Sequence, residues 1–235
     1  MLVSSLTIAW VSMIIGPLGD IMNKFVIMGA NGSGKSTQAS RLAKAYDLVH
    51  ISVGDIFRWN IQYHTKLAAK VQRVMNEGML VPDEVVAETV KARLDLHDWN
   101  YGFVLDGFPR NRTQAMFFLE SYDIDAVIMI EVPDHVVKHR MMARRMCSHC
   151  SIDYNLIFHR PKVEDVCDVC GGKLMARSDD NPEAINVRLR EYHEKTDPII
   201  ELFRKKELVL IVDGTKSADD VEKDIRAKLT LSRRS

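Results

Sequence analysis

KFVIMGANGSGKST, residues 24–37, is an apolar run followed by a glycine-rich loop of the form G-x-x-x-x-G-K-[ST]. Phe25, Val26, Ile27 and Met28 read as a short buried strand, and residues 35–46 carry apolar side chains near helical spacing. The loop GANGSGKS, residues 29–36, therefore lies between a strand and a helix. Gly29, Gly32 and Gly34 let the backbone wrap an anion, so that successive N–H groups and the helix N-terminus point at one phosphate. Lys35 is placed to reach β and γ phosphates, and Ser36 to face their metal. The motif predicts nucleotide binding, with a glycine-rich surface turn between strand and helix as the alternative. ATPase, GTPase, kinase and passive binder all stay open.

Outward from the loop, residues 48–52, 103–105 (ending at Asp106), 126–132 and 208–212 read as four more strands. Helical stretches at 82–96, 112–121 and 134–146, and a long run from Pro182, separate them. This alternation predicts an α/β fold, a five-stranded parallel sheet with helices on both faces. Two segments interrupt it and read as inserted lobes: helical residues 54–81, and loop-rich residues 147–180 with turn signals at Arg160-Pro161 and Gly171-Gly172. Asn181-Pro182 gives a cap followed by a first-turn proline. Asp197-Pro198 repeats the device and predicts a break or bend there.

The chain has 235 residues, which suits one principal domain with inserted lobes. Its 32 Lys+Arg balance 32 Asp+Glu, so no global charge favours nucleic acid or an anionic membrane. Residues 1–19 are uncharged, and LTIAWVSMII at 6–15 resembles the apolar part of a signal peptide. No Lys or Arg precedes it, and serines, glycines and a proline break it short of the roughly 20 apolar residues a spanning helix needs. We expect residues 1–22 to be a dispensable extension, with Met22 as the working start, and the protein to be cytoplasmic.

All four cysteines lie in the second insert as C-x2-C-x16-C-x2-C: Cys147, Cys150, Cys167 and Cys170. Two close pairs suit a tetrahedral zinc ion, and four thiolates leave no open position, so such a metal is structural. Two disulfides or four independent thiols are the alternatives. His149 and His159 read as surface residues. Between the cysteine pairs His159, Arg160 and Lys162 are offset by Asp153, Glu164 and Asp165, which leaves no basic stripe for a phosphate backbone.

Arg140 and Arg144 fall one turn apart on the helix read at 134–146, with Arg145 beside them. Like charges so placed repel unless they are solvated or share an anion. Arg58, Arg110, Arg177 and Arg188 are further candidates. Asp106, ending an apolar strand beside the loop, is placed to hold a magnesium shell or to serve as a turn residue.

Together, GANGSGKST (29–37), ISVGDIFR (51–58), GFVLDGFPR (102–110), RMMARRMC (140–147), RSDDNPE (177–183) and VDGTK (212–216) resemble the adenylate kinase family in order and spacing. The likeness covers residues 23 to about 229. It implies a P-loop core of residues 23–51, 82–142 and 181–235, a monophosphate-binding lobe at 52–81 and a zinc-bearing lid at 143–180. By motif, Gly32, Ser33, Gly34, Lys35, Ser36 and Thr37 would hold ATP phosphates. Arg144, Asp153 and Tyr154 would close over ATP, and Lys216 would approach its adenine. Val53, Arg58, Met79, Leu80, Val81, Gly107, Phe108, Pro109, Arg110, Gln114, Arg177 and Arg188 match positions around AMP. Arg140 matches a lid-hinge arginine near the ATP phosphates, and Asp55 and Asp106 match positions that organise metal-bound water. The chain departs from the family at ISVGD, where Val53 replaces a threonine hydroxyl that helps read the acceptor base, and at Asn31, where many relatives have proline.

The resemblance implies reversible phosphoryl transfer from MgATP to AMP, giving two ADP, with structural zinc. The catalytic set would be Lys35, Asp106, Arg110, Arg140, Arg144, Arg177 and Arg188. The acceptor is an ionised phosphate oxygen, so no general base is required. It further implies a monomer acting on ATP and AMP, with no nucleic-acid or membrane partner. Kinases of GMP, CMP or UMP, an acceptor-independent ATPase and a zinc-ribbon nucleic-acid binder are the rival expectations.

Overall fold

Continuous apolar runs on the central strands, with successive side chains on opposite faces, build a two-sided core. The computed structural model describes residues 23–97, 102–177, 179–206 and 208–232; the extension expected at 1–22 lies outside the described residues. Strands β1 (Lys24–Met28), β2 (Val49–Ser52), β3 (Phe103–Asp106) and β4 (Ala126–Glu131) belong to one sheet. Short strands β5 (Arg144–Cys147), β6 (Asp153–Asn155) and β7 (Leu174–Met175) form a separate antiparallel sheet, and β8 (Val209–Asp213) returns to the first. The large sheet is parallel, ordered β2-β3-β1-β4-β8.

Successive β1 side chains face opposite layers, as the pleat requires. Val26 and Met28 join Leu105, Val127 and Met129 in one buried cluster, against helices α4 (Asp83–Leu94) and α5 (Arg112–Ser121). Phe25 and Ile27 join Val104 and Ile128 in the other, against α1 (Lys35–Tyr46) and α9 (Ala218–Ser232). Burial on both faces explains why these strands read as continuous apolar runs.

The first insert is a helical pair, α2 (Val53–Gln62) and α3 (Lys66–Asn76). The second follows α6 (Asp134–Met142) and ends where the Asn181 side chain accepts a 2.8 Å hydrogen bond from Ala184 N and caps α7 (Pro182–Glu191). The helix expected to reach residue 146 stops at Met142. Residues 144–147 are drawn into β5 by pairing on both edges, Arg144 with Asn155 and Cys147 with Leu174, and this long-range pairing overrides the local helical pattern. The bend expected at Asp197-Pro198 takes the form of a π turn, Tyr192–Thr196, before α8 (Asp197–Arg204). Pro198 has no N–H for the carbonyl four residues back, so the ladder widens rather than breaks. Among the described residues, no helix is long and apolar enough to cross a membrane.

Candidate active site

The loop after β1 leaves the sheet where neighbouring connections diverge, with β3 on one side of β1 and β4 on the other. A crevice beyond the strand ends at such a point is the usual ligand site of parallel sheets. Gly29 and Gly34 show what the loop requires. A Cβ on Gly29 would stand 2.6 Å from the Ile130 carbonyl oxygen, so close backbone approach excludes any side chain. At Gly34 (φ 98°) a Cβ would meet nothing within 4 Å. There the left-handed backbone demands glycine, and the open space beside the α1 N-terminus offers room for an anion.

Lys35 is 8% exposed and donates to Asn31 Oδ1 at 3.1 Å and Ala30 O at 3.3 Å. Burial pushes its ammonium down to about 7; Asp106 resists that shift, while Arg110, Arg144 and Arg188 add to it. Burial, then the Arg188 charge, lowers Arg110 to about 10. Lys35 and Arg110 are thus buried beside other cations and form no ion pair among the described residues, the condition a polyphosphate relieves.

Parallel register places Asp106 beside Ile27 on one side and Ser52 on the other. Its Oδ2 accepts from Ser36 Oγ at 2.5 Å, whereas Oδ1 is buried with no hydrogen-bond partner. A buried carboxylate oxygen without a donor, beside a serine hydroxyl, fits a magnesium ion and its water shell.

Two cavities meet at this point. The inner one, about 80 Å³, is lined by Val53, Arg58, Met79, Leu80, Val81, Asp106, Gly107, Arg110, Gln114, Arg177 and Arg188. The outer one, about 470 Å³, is lined by Gly32, Ser33, Gly34, Thr37, Arg140, Asp153, Tyr154 and Lys216. Lys35, Ser36 and Arg144 line both. Three expected residues stand elsewhere. Phe108, packed edge-on against Phe118, and Pro109 face a small space of about 30 Å³ behind Lys35. Asp55 lines neither cavity, and its exposed carboxylate pairs with Arg58 one turn along α2.

Arg140 and Arg144 do not share a helical face, because α6 ends between them. Arg140 donates to Gly214 O at 2.9 Å and lies 5.0 Å over the Phe158 ring, while its buried Nε has no partner. Arg144 forms a two-pronged pair with Asp180, at 2.7 and 2.6 Å. Arg188 pairs with Asp179 and, at 3.2 Å, with Asp180; Arg177 pairs with Asp153. Asp179 and Asp180 escaped the sequence analysis because adjacent aspartates before a proline read as turn and cap residues. Phe158 was missed as well, since a lone aromatic in a loop-rich insert carries no periodic signal.

In the second insert, Cys147 Sγ lies 3.4 Å from Cys170 Sγ and Cys150 Sγ lies 3.6 Å from Cys167 Sγ, with all four sulphurs within 4.8 Å. These separations are too long for disulfides, whose sulphurs stand about 2.05 Å apart. They approach the roughly 3.8 Å edge of a tetrahedron with 2.3 Å zinc–sulphur bonds. The residues therefore fit zinc. The Tyr154 hydroxyl, 3.5 Å from Cys167 Sγ, leads in lowering that thiol to about 6, against a smaller opposing effect of burial. Tyr154 thus turns its hydroxyl towards the cysteine cluster, while its ring stacks on His159 at 4.9 Å and the residue also lines the outer cavity.

A family model described as adenylate kinase matches residues 27–208. The chain is 42% identical over 207 residues to an adenylate kinase of Acetivibrio thermocellus, covering 86% of this chain and 95% of the relative. It is 44% identical over 207 residues to one from Lachnoclostridium phytofermentans, with the same coverage. With one from Caldanaerobacter subterraneus it shares 42% over 216 residues, covering 90% of this chain and 98% of the relative. A phosphate loop at the head of a parallel sheet, a cation-lined double cavity and matches over most of the chain have one common account: the chain belongs to the adenylate kinase family.

Proposed function

We propose that the protein transfers the γ-phosphoryl group of MgATP reversibly to AMP, giving two ADP. The observation that carries this is the sharing of Lys35, Ser36 and Arg144 between the two cavities. A donor in the outer cavity and a monophosphate in the inner one would place their phosphates on the same three side chains. Lys35, with Arg110, Arg144, Arg177 and Arg188, then neutralises charge on the transferring group and aligns donor with acceptor. Ser36 and Asp106 would hold a magnesium ion carried with ATP, and such an ion would supply charge neutralisation for the phosphates. The Asp179 and Asp180 carboxylates release their arginines as phosphate replaces them, which keeps buried guanidinium groups paired before substrate arrives.

Residues 52–81 and 143–180 act as two closing lobes over the core. Ser151 Oγ in the lid donates to Gln62 Oε1 at the end of α2 at 2.8 Å, a contact that supports such closure. Closure excludes water, which would otherwise accept the phosphoryl group. Zinc held by Cys147, Cys150, Cys167 and Cys170 is structural and keeps the lid folded. The protein works as a cytoplasmic monomer.

A coupled ADP assay with AMP, GMP, CMP and UMP tests the assignment. ADP formation is expected to require a monophosphate and to be fastest with AMP. ATP consumption that ignores the monophosphate would point to an ATPase, and a preference for another base would point to a related kinase.

Two variants probe the inner cavity. Arg110→Ala is expected to lower kcat/KM for AMP by about a hundredfold, the scale of losing one preorganised charge-stabilising donor, with little change in melting temperature. Near-normal ADP production would remove Arg110 from the transfer site. Val53 lies 3% exposed at the start of α2, where its methyl groups offer the base no hydrogen bond. Val53→Thr is expected to lower KM for AMP about fivefold, the value of roughly one hydrogen bond. An unchanged KM would show that this wall of the cavity does not read the base.

A further inference from the structure

We infer that Asp83 fixes the orientation of the Gln114 side-chain amide and thereby makes the inner cavity discriminate adenine from guanine; the inference rests on that cavity holding the monophosphate. Gln114 lines the cavity and is 3% exposed. Its Oε1 accepts from the Arg110 backbone N–H at 2.8 Å, and its Nε2 donates to Asp83 Oδ1 at 2.8 Å. A backbone N–H can only donate and a carboxylate can only accept. Turning the amide over would set N–H against N–H and oxygen against oxygen in a buried place, so chemistry alone identifies each end.

One Nε2 proton and one lone pair of Oε1 remain, in an order the lock imposes. Adenine presents an acceptor (N1) beside a donor (the N6 amino group), whereas guanine presents a donor (N1–H) beside an acceptor (O6). A freely turning amide could pair with either edge. A locked one matches a single order and leaves the other base with unpaired buried groups.

Asp83 is itself held in place. It is the first residue of α4, and the same Oδ1 accepts from Asn111 Nδ2 at 2.7 Å. The Asn111 Oδ1 in turn caps α5 by accepting from Gln114 N at 2.9 Å. The starts of two helices are thus tied through one carboxylate. Asp83 is a positioning residue, acting on the base through Gln114. Because Val53, on another wall of the cavity, brings no hydroxyl, more of the base choice falls to this amide.

The test compares kcat/KM for AMP and GMP in the full chain with ATP as donor. Asp83→Ala is expected to lower the AMP-to-GMP ratio about fivefold to tenfold, the worth of one hydrogen bond, mainly through KM for AMP. Asp83→Asn, which keeps an acceptor oxygen in the same shape, should retain most of the selectivity. An unchanged ratio in Asp83→Ala overturns the lock while leaving the kinase assignment standing. A wild-type chain that forms no ADP from AMP overturns that assignment and the lock with it. Should Asp83→Ala not fold, proton–nitrogen spectra of the wild-type chain give a second test, with the Gln114 amide signal identified by its loss in Gln114→Glu. One Nε2 proton protected from exchange supports the lock, and two equally rapid protons refute it.

Discussion

Replacing Lys35 with alanine is expected to lower turnover about a thousandfold, at the upper end of what one preorganised donor supplies to a charged transition state. The fold should survive the change. Among the described residues the ammonium donates to Asn31 Oδ1 and Ala30 O and forms no ion pair, and burial with the charges of Arg110, Arg144 and Arg188 outweighs the pull of Asp106. In the nucleotide-free protein its positive charge is therefore a cost. Because burial brings its pKa in the folded chain to about 7, from 10.5, that cost is fully present below pH 7, where both folded and unfolded chains are protonated. It fades as pH rises from 7 towards 10.5, since the unfolded chain then holds more protons. The stability of the nucleotide-free wild type, measured against Lys35→Ala, should accordingly rise with pH across this window. Bound polyphosphate restores the charged form, so nucleotide binding near pH 8 should take up a proton, seen by calorimetry in buffers of different ionisation enthalpy. A variant that keeps normal turnover, or a wild type that binds nucleotide without proton uptake, would remove Lys35 from the phosphate site.

Stripping metal from the lid, or replacing Cys167 with serine, is expected to split the thermal transition, the lid melting about 10 °C below the core. For a separately melting lobe this small, a loss of about 1–2 kcal/mol is enough for such a shift. The lid core consists of Cys147, Tyr154, Cys167 and Leu174, so half of its fully buried members are cysteines. With so little apolar area, this lobe is expected to need a cross-link for its stability. Arg144, Asp153 and Tyr154 lie on its strands, so KM for ATP should rise before the chemistry at Lys35 is touched. Inactivation with an unchanged melting profile would assign the metal a role other than structural.

The parallel sheet was legible because both of its signals are local. Apolar runs mark strands buried on two faces, and helical spacing delimits Lys35–Tyr46 and Arg112–Ser121 to the residue. The glycine loop and the cysteine pairs were legible for a related reason: an anion cradle and a tetrahedral ion both require particular residues at short, set intervals. Helix 134–146 misled because its spacing continues past Met142, while β5 is held by partners far away in sequence, Met146 opposite Met175.

The arrangement of charge was not legible in this way. Arg144 and Arg188 meet Asp180, Arg177 meets Asp153, and Gln114 meets Asp83, across separations that follow no periodicity. Residue types and intervals along the chain thus determine the phosphate loop, the sheet, the cysteine cluster and the family. Which cation faces which carboxylate, which side chains serve both cavities and which way the Gln114 amide points depend on packing between distant elements, because ion pairs and cavities form only where the fold brings such elements together.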